Sequence, residues 1–284
     1  MNRGSLGLAL ALAASLGFAA PRHAGAAPAR KPAGPTHVQP KMPPPPAMGE
    51  ADPKAAFVAK QLMDAMGGQH AWEMIPYIRF DFVVVKDGKE LARFKHWWDK
   101  RNMRERVEGP DEKGRVVTAI FSLKDKKGKS FTDGIADTDP KNIQAIIDNG
   151  YERWVNDTYW MIMPFKLRDP GTHLQYAGLE KGKDGKQFDV LKIHFNQGVG
   201  LTSGDKYTIY VDRQTHMIDH WVMALQGQKP PPGRATWEGW TQIGPVKIAT
   251  EHHFMGKPVE IRFEELSAPA TMDESVFSNA RVAG

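Results

Sequence analysis

The chain has 284 residues and a formal net charge of +5, with 41% hydrophobic residues, 25% charged residues and no cysteine. The missing cysteine excludes a disulfide scaffold, a thiolate metal site, a cysteine nucleophile and a lipid-modified N-terminal cysteine. The charge is small and mixed in sign, which argues against a nucleic-acid partner, and the apolar fraction is that of a folded chain rather than a disordered one.

Asn2 and Arg3 precede an apolar run from Gly4 to Ala20, and Ala24-Gly25-Ala26 supplies a small-residue cleavage site. Residues 1–26 are therefore read as a secretion signal peptide. No Arg-Arg pair precedes the run and no cysteine follows it. The mature protein is thus expected to be soluble in the periplasm of a bacterium, without a stable membrane span. Residues 27–51 follow as a spacer. Nine of the 21 prolines fall between Pro28 and Pro53, including Pro43 to Pro46. Proline fixes φ and has no N–H, so this stretch is expected to be extended and solvated.

Residues 52–284 carry the folding pattern and no second linker. Asp52-Pro53 reads as a capped helix start. Phe57, Val58, Leu62, Ala65 and Met66 follow at helical spacing up to Gly67-Gly68. The period then changes to two. Ile78, Phe80, Phe82 and Val84 share one face of a strand, and Lys86-Asp87-Gly88-Lys89 is a hairpin turn. The return strand places Ala92, Phe94, His96 and Trp98 on one face. Further strands fit Arg104 to Glu108 and a segment with Val117, Ala119, Phe121 and Leu123 on one side.

Between Pro140 and Met163 apolar residues recur at three and four, including Ile143, Ile147, Trp154 and Trp160. Asn149-Gly150 is expected to break this insert into two short helices, and Pro164 to end the second. Later strands fit Phe188 to Phe195, Tyr207 to Val211, Asp219 to Leu225, Thr236 to Ile243, Val246 to Met255 and Val259 to Leu266. The fold class is mainly β (α+β), an antiparallel meander that must curl or close to protect its edges. Phe80, Phe82, Phe94, Trp98 and Phe121 are expected on its concave face.

The chain has no Gly-x-Ser-x-Gly elbow, phosphate loop or His-Glu-x-x-His, so no catalytic residue, cofactor or metal is assigned. The glycine-rich run Gly198 to Gly204 lies between strands and reads as a long hairpin loop. Among ten histidines, His252-His253 beside Glu251 is the densest group, but adjacent strand residues point to opposite faces. His216 and His220 are separated by a turn at Thr215-His216-Met217. What remains is aromatic: Trp154, Trp160, Met161 and Met163 either fill a core between helix and sheet or line a cavity under a helical lid.

Several strings then become recognisable. Trp160-Met161-Ile162-Met163-Pro164-Phe165-Lys166-Leu167, Gly200-Leu201-Thr202, Gly204-Asp205-Lys206-Tyr207 and Tyr210-Val211-Asp212 resemble a poorly characterised exported branch of the LolA/LolB-like superfamily of periplasmic lipoprotein carriers. The resemblance covers about residues 52 to 280. It implies a strongly curved, half-open antiparallel β-barrel with an N-terminal helix and a helical lid inserted after the early strands. It also implies a cavity that holds acyl chains. The carriers tie barrel to lid with an arginine followed by Pro-Asn. Lys100-Arg101-Asn102 stands at the comparable point without the proline, which gives Arg101 the lid contact. The function so implied is non-catalytic binding of a lipid or an acyl chain, carried on a lipoprotein or free. The second reading is an interaction or envelope-sensor module of the same fold, with a self-filled cavity and an envelope protein partner. A cavity below about 300 Å³ would favour that module.

Overall fold

Asp52 starts the first helix as the sequence requires: its carboxylate accepts the backbone N–H of Ala55 at 2.8 Å, with Pro53 in the first turn. The structure is a computed structural model that describes residues 48–281. The expected signal peptide and residues 27–47 of the expected spacer lie outside the described residues. Strand β1 (Glu50–Ala51) precedes helices α1 (Pro53–Ala65) and α2 (Gln69–Met74). Six strands follow: β2 (Tyr77–Lys86), β3 (Lys89–Asp99), β4 (Arg104–Pro110), β5 (Val116–Ser122), β6 (Gly128–Thr132) and β7 (Ile135–Ala136). Helix α3 (Pro140–Ile162) and a 3-10 turn (Met163–Lys166) lead into β8 (Thr172–Lys181), β9 (Gln187–Phe195), β10 (Lys206–Asp212) and β11 (Ile218–Ala224). The chain continues through β12 (Gly233–Thr236), β13 (Thr241–Ile243), β14 (Val246–Ile248), β15 (Glu251–His253) and β16 (Val259–Ser267).

The strands form an eight-stranded sheet, β15-β16-β2-β3-β4-β5-β6-β7, and a six-stranded sheet, β1-β8-β9-β10-β11-β12. Neighbours pair antiparallel except β1 with β8, whose parallel pairing places Glu50 and Ala51 within the fold rather than the spacer. The two sheets meet at one seam, through bridges Ala235–Phe254 and Glu238–Glu251 and a Met255 N–H to Arg234 C=O bond of 2.9 Å. At the other side the edge strands are β1 and β7, each of two residues. The sheet therefore curves without closing into a barrel. Bulges between Val84 and Val85, Tyr176 and Gly178, and Tyr210 and Val211 supply local bending. Short edges offer little template for pairing with another chain.

The expected alternation holds on the inner face: Phe80, Phe82, Phe94, Trp98 and Phe121 are all buried in one cluster. The outer face is also covered in part. Trp97, adjacent to Trp98 and so opposite in direction, packs with Ile120, Phe131, Val276 and Phe277 in a second cluster. Arg106, fully buried on β4, donates to the carbonyls of Val276, Asn279 and Ala280 and so holds the C-terminal segment on the sheet. Strands β6, β7 and β8 were absent from the expected series. In β6 only Phe131 is a large apolar residue, and β8 is mostly exposed beyond Leu174. The two expected strands at 236–243 and 246–255 are each interrupted.

The expected helix break does not occur. Helix α3 runs unbroken through Asn149 and Gly150 for 23 residues. A Cβ at Gly150 would lie 2.8 Å from the Ala119 Cβ and 3.1 Å from the Phe121 ring. Glycine therefore stands there for close approach to β5 and not for a hinge. We expect Gly150→Ala to destabilise the protein by about 1–3 kcal/mol, although alanine is the better helix former by about 1 kcal/mol. Asn149→Ala, one residue away and exposed, should stay within about 0.5 kcal/mol of the parent. Urea denaturation of the two variants checks this, and equal stabilities would rule out the close-approach account.

Candidate functional site

Helix α3 begins at Asp139, whose side chain accepts the Lys141 N–H at 3.0 Å. Its first half lies on the inner face of the eight-stranded sheet. There Ile147 and Gly150 are buried and Tyr151 meets Phe121 edge-on at 6.5 Å. This half leaves almost no free volume. Phe94 fills the space above Gly109, where a Cβ would sit 2.2 Å from its ring. The second half overhangs the six-stranded sheet, and there a cavity of about 410 Å³ opens.

One wall of the cavity is α3, with Trp154, Thr158, Tyr159 and Ile162. The opposite wall is Phe195 on β9, Tyr207 on β10 and Trp221 and Met223 on β11. The loop from Val199 to Thr202 covers one side, and Lys166, Asp169 and Thr172 stand at its polar part. The aromatic rings interlock. Tyr207 stacks on Trp221 at 5.2 Å, Trp160 meets Trp221 edge-on at 4.7 Å, and Trp98 meets Trp154 edge-on at 5.4 Å. The indole N–H groups of Trp98, Trp154 and Trp221 are buried without a hydrogen-bond partner among the described residues.

Of the residues expected to bind a ligand, Trp98, Trp154 and Trp160 line this cavity. Phe80, Phe82, Phe94, Phe121, Met161 and Met163 do not; they are packed core. Phe80 stacks on His96 at 4.4 Å and Phe82 packs edge-on against Phe263 at 5.7 Å. The expected lid is a docked helix whose Asp157, Thr158, Met161 and Ile162 are buried. Arg101 is exposed in the β3–β4 turn and makes no hydrogen bond or ion pair among the described residues, so it does not tie α3 to the sheet.

A different group does. His96 on β3 lies between Glu105 on β4 (Nδ1 to Oε1, 3.0 Å) and Asp157 on α3 (Nε2 to Oδ2, 3.1 Å), and all three side chains are fully buried. Asn156 donates to Asp157 Oδ1 at 2.8 Å, and Arg153 stands 3.6 Å from the same oxygen.

The sequence reading missed Tyr159, Phe195, Tyr207, Trp221 and the loop from Val199. The signal available for the loop was Val199 and Leu201, two apolar residues among glycines; Asp205 and Tyr207 stood in one of the strings that carry the resemblance, without a site role. His216 lies in the turn and His220 in β11. His252 is fully buried, its Nδ1 2.9 Å from the Thr236 carbonyl, while His253 turns outward. Glu238, Glu251 and His253 bring ligand atoms within 4.8 Å of one another. Both acids are exposed, an arrangement common among solvated carboxylates, and no metal is assigned to it. Among the described residues no helix is long and apolar enough to cross a membrane.

The chain matches, over residues 112–229, the model of a family of unknown function, DUF6503. No curated protein matches its sequence. Among solved structures it is similar to a DUF1329 family protein from Desulfovibrio piger, with 10% identity, a TM-score of 0.44, and coverage of 79% of this chain and 97% of that one. A LolA superfamily protein from Nitrosomonas europaea matches with the same figures. A putative outer membrane lipoprotein-sorting protein domain from Vibrio parahaemolyticus matches at 11% identity and a TM-score of 0.42, over 79% and 96% of the two chains. One of these structures carries the name of the superfamily that the sequence strings resemble. At this identity and score the likeness says nothing about ligand or partner.

The His96 row has a pH consequence. Each N···O contact needs one proton between its atoms, so the row holds two protons, either both on the imidazole or one on a carboxyl. Burial pushes the Glu105 carboxyl up to about 7, against the pull of His96. Burial alone would lower His96, but its bonds to Asp157 and Glu105 raise it above its ordinary value. Both folded-state values lie above those of the unfolded chain, so the stability they contribute is lost as pH rises through them. His252 has the opposite sign. Burial lowers it to about 3, so its contribution grows from there up to its ordinary value of 6.5 and offsets Glu105 in that range. Lys100, lowered by burial to about 8, adds stability only as pH nears and passes that value, so the net loss falls between pH 6.5 and 8. We expect denaturant stability to drop by on the order of 1 kcal/mol between pH 6.5 and 8, and Glu105→Gln to remove most of that slope. A parent whose stability is flat or rises over this window would show that the row is not proton-linked.

Proposed function

We propose that the protein is a soluble envelope protein that holds a lipid or acylated ligand in the cavity beneath the second half of α3, without catalysis. The carrying observation is the cavity itself. At about 410 Å³ it lies within the range of about 300–1,000 Å³ of small-molecule sites and above the value expected of a self-filled module. Its walls are mainly aromatic and aliphatic, and burial of each acyl CH₂ there is worth roughly 0.8 kcal/mol. The export signal read in the sequence supports an envelope location, and the resemblance of the sequence strings to an exported branch of the LolA/LolB-like superfamily supports the ligand class. Trp98, Trp154 and Trp160 are the expected contacts.

Trp97 serves as the comparison: it is buried, more so than the half-buried Trp154 and Trp160, but in the outer cluster. We expect Trp154→Ala and Trp160→Ala to weaken binding of the neutral dye N-phenyl-1-naphthylamine about tenfold, roughly 1.4 kcal/mol. Trp97→Ala should change it by less than about threefold. Truncating a buried Trp costs about 3–5 kcal/mol of stability, so dye binding is compared only among variants with the parent's circular dichroism. Native mass spectrometry of protein isolated from a bacterial envelope should show a retained lipid. Protein that carries no lipid and binds no dye would defeat the proposal.

A further inference from the structure

Six acidic side chains are buried among the described residues: Asp81, Asp99, Glu105, Asp157, Asp189 and Asp205. Five have a basic partner within 4.0 Å. Asp81 faces Arg79 and Arg93, Asp99 faces Arg104, Glu105 and Asp157 share His96, and Asp189 faces Arg213. Asp205, 2% exposed, has none among the described residues. It is also the one of the six that lines the cavity. Its carboxylate is held by neutral donors only: the Thr202 hydroxyl at 2.6 Å, the Tyr207 hydroxyl at 3.2 Å and the Gln226 backbone N–H at 2.7 Å. A carboxylate has about four acceptor positions, so one remains open, and a buried charge without a counter-ion is costly.

The surroundings of Asp205 suit a cation. Tyr207 and Trp221 stack beside it, Tyr159 lies 5.4 Å from Tyr207 between ring centroids, and aromatic faces attract ammonium groups. Burial first, and the Asp205 charge after it, raise the Tyr159 phenol well above its ordinary value, so it stays neutral. The cation in the lining is Lys166, already paired with Asp169. The lining thus carries two acids against one base, and an anionic head group would meet Asp205 with no free cation to offset it.

Building on the lipid-binding reading, we propose that the ligand carries an alkylated ammonium group, seated against Asp205 and the aromatic wall, with its apolar chain along Ile162, Met223 and Leu225. The ligand then supplies the counter-ion that the protein withholds from this one buried acid.

The test is isothermal titration of the purified protein, below micelle concentrations, with three amphiphiles of equal chain length: dodecyltrimethylammonium, neutral monododecanoylglycerol and dodecanoate. The ammonium is expected to bind at least about tenfold tighter than dodecanoate, with the neutral compound between them. In Asp205→Asn the hydroxyls of Thr202 and Tyr207 can turn to accept from the new amide, so the fold should persist. The ammonium should lose about tenfold in affinity and the neutral compound less than about twofold. Dodecanoate binding as tightly as the ammonium would overturn the ammonium assignment and leave the lipid-binding reading standing. So would equal losses for the charged and neutral ligands in Asp205→Asn. Binding of none of the three would overturn both. The order of affinities in the parent decides the matter even if Asp205→Asn does not fold.

Discussion

The position of α3 depends on one buried row of hydrogen bonds, Glu105–His96–Asp157, which joins two neighbouring strands to the helix. Three fully buried ionisable groups are tolerated because each nitrogen of the imidazole faces an oxygen, and because Arg153 and Asn156 satisfy the outer oxygen of Asp157. Breaking the row would leave buried polar atoms unpaired, which is more costly than never having buried them. The helix is therefore fixed in direction as well as in depth.

That fixed direction divides the concave face into two parts of different character. Over the eight-stranded sheet the helix comes close, through Gly150, and the inner aromatics of β2 to β5 are consumed as core. Beyond Asp157 the same unbroken helix stands off the six-stranded part, whose backbone does not reach it. Large rings partly span the gap, and what they leave unfilled is the cavity. A curved open sheet crossed by one unbroken helix makes such a space on geometric grounds, without any residue having to create it.

The cavity wall also differs chemically from the core. The other five buried acids each face a basic group, whereas the wall of the cavity holds Asp205 with neutral donors alone. The outer face is covered by the C-terminal segment, pinned through Arg106. The cavity is thus separated from the outer cluster by the full thickness of the sheet, and Trp97 and Trp98, adjacent in sequence, belong to the two different environments.

Local pattern was enough for much of the fold. The period-two alternation of β2 and β3 specified which side chains face inward, and the Asp-Gly pair specified their turn, with Asp87 and Gly88 both at positive φ. Asp52-Pro53 located one helix start, because caps act over three or four residues, and the apolar spacing from Pro140 located another. Elements with little apolar content, β6 and β8, were not legible, since their strand state comes from pairing with neighbours. The site was legible only as far as Trp98, Trp154 and Trp160. Periodicity identifies an inward face but not whether that face meets a helix or empty space. Gly150 makes the same point: in the sequence it reads as a break, and against Ala119 it is the condition for contact. Likewise only the tertiary structure brings His96, Glu105 and Asp157 into one row and leaves Asp205 without a cation, because these relations join residues up to 61 positions apart and no local rule reaches that far.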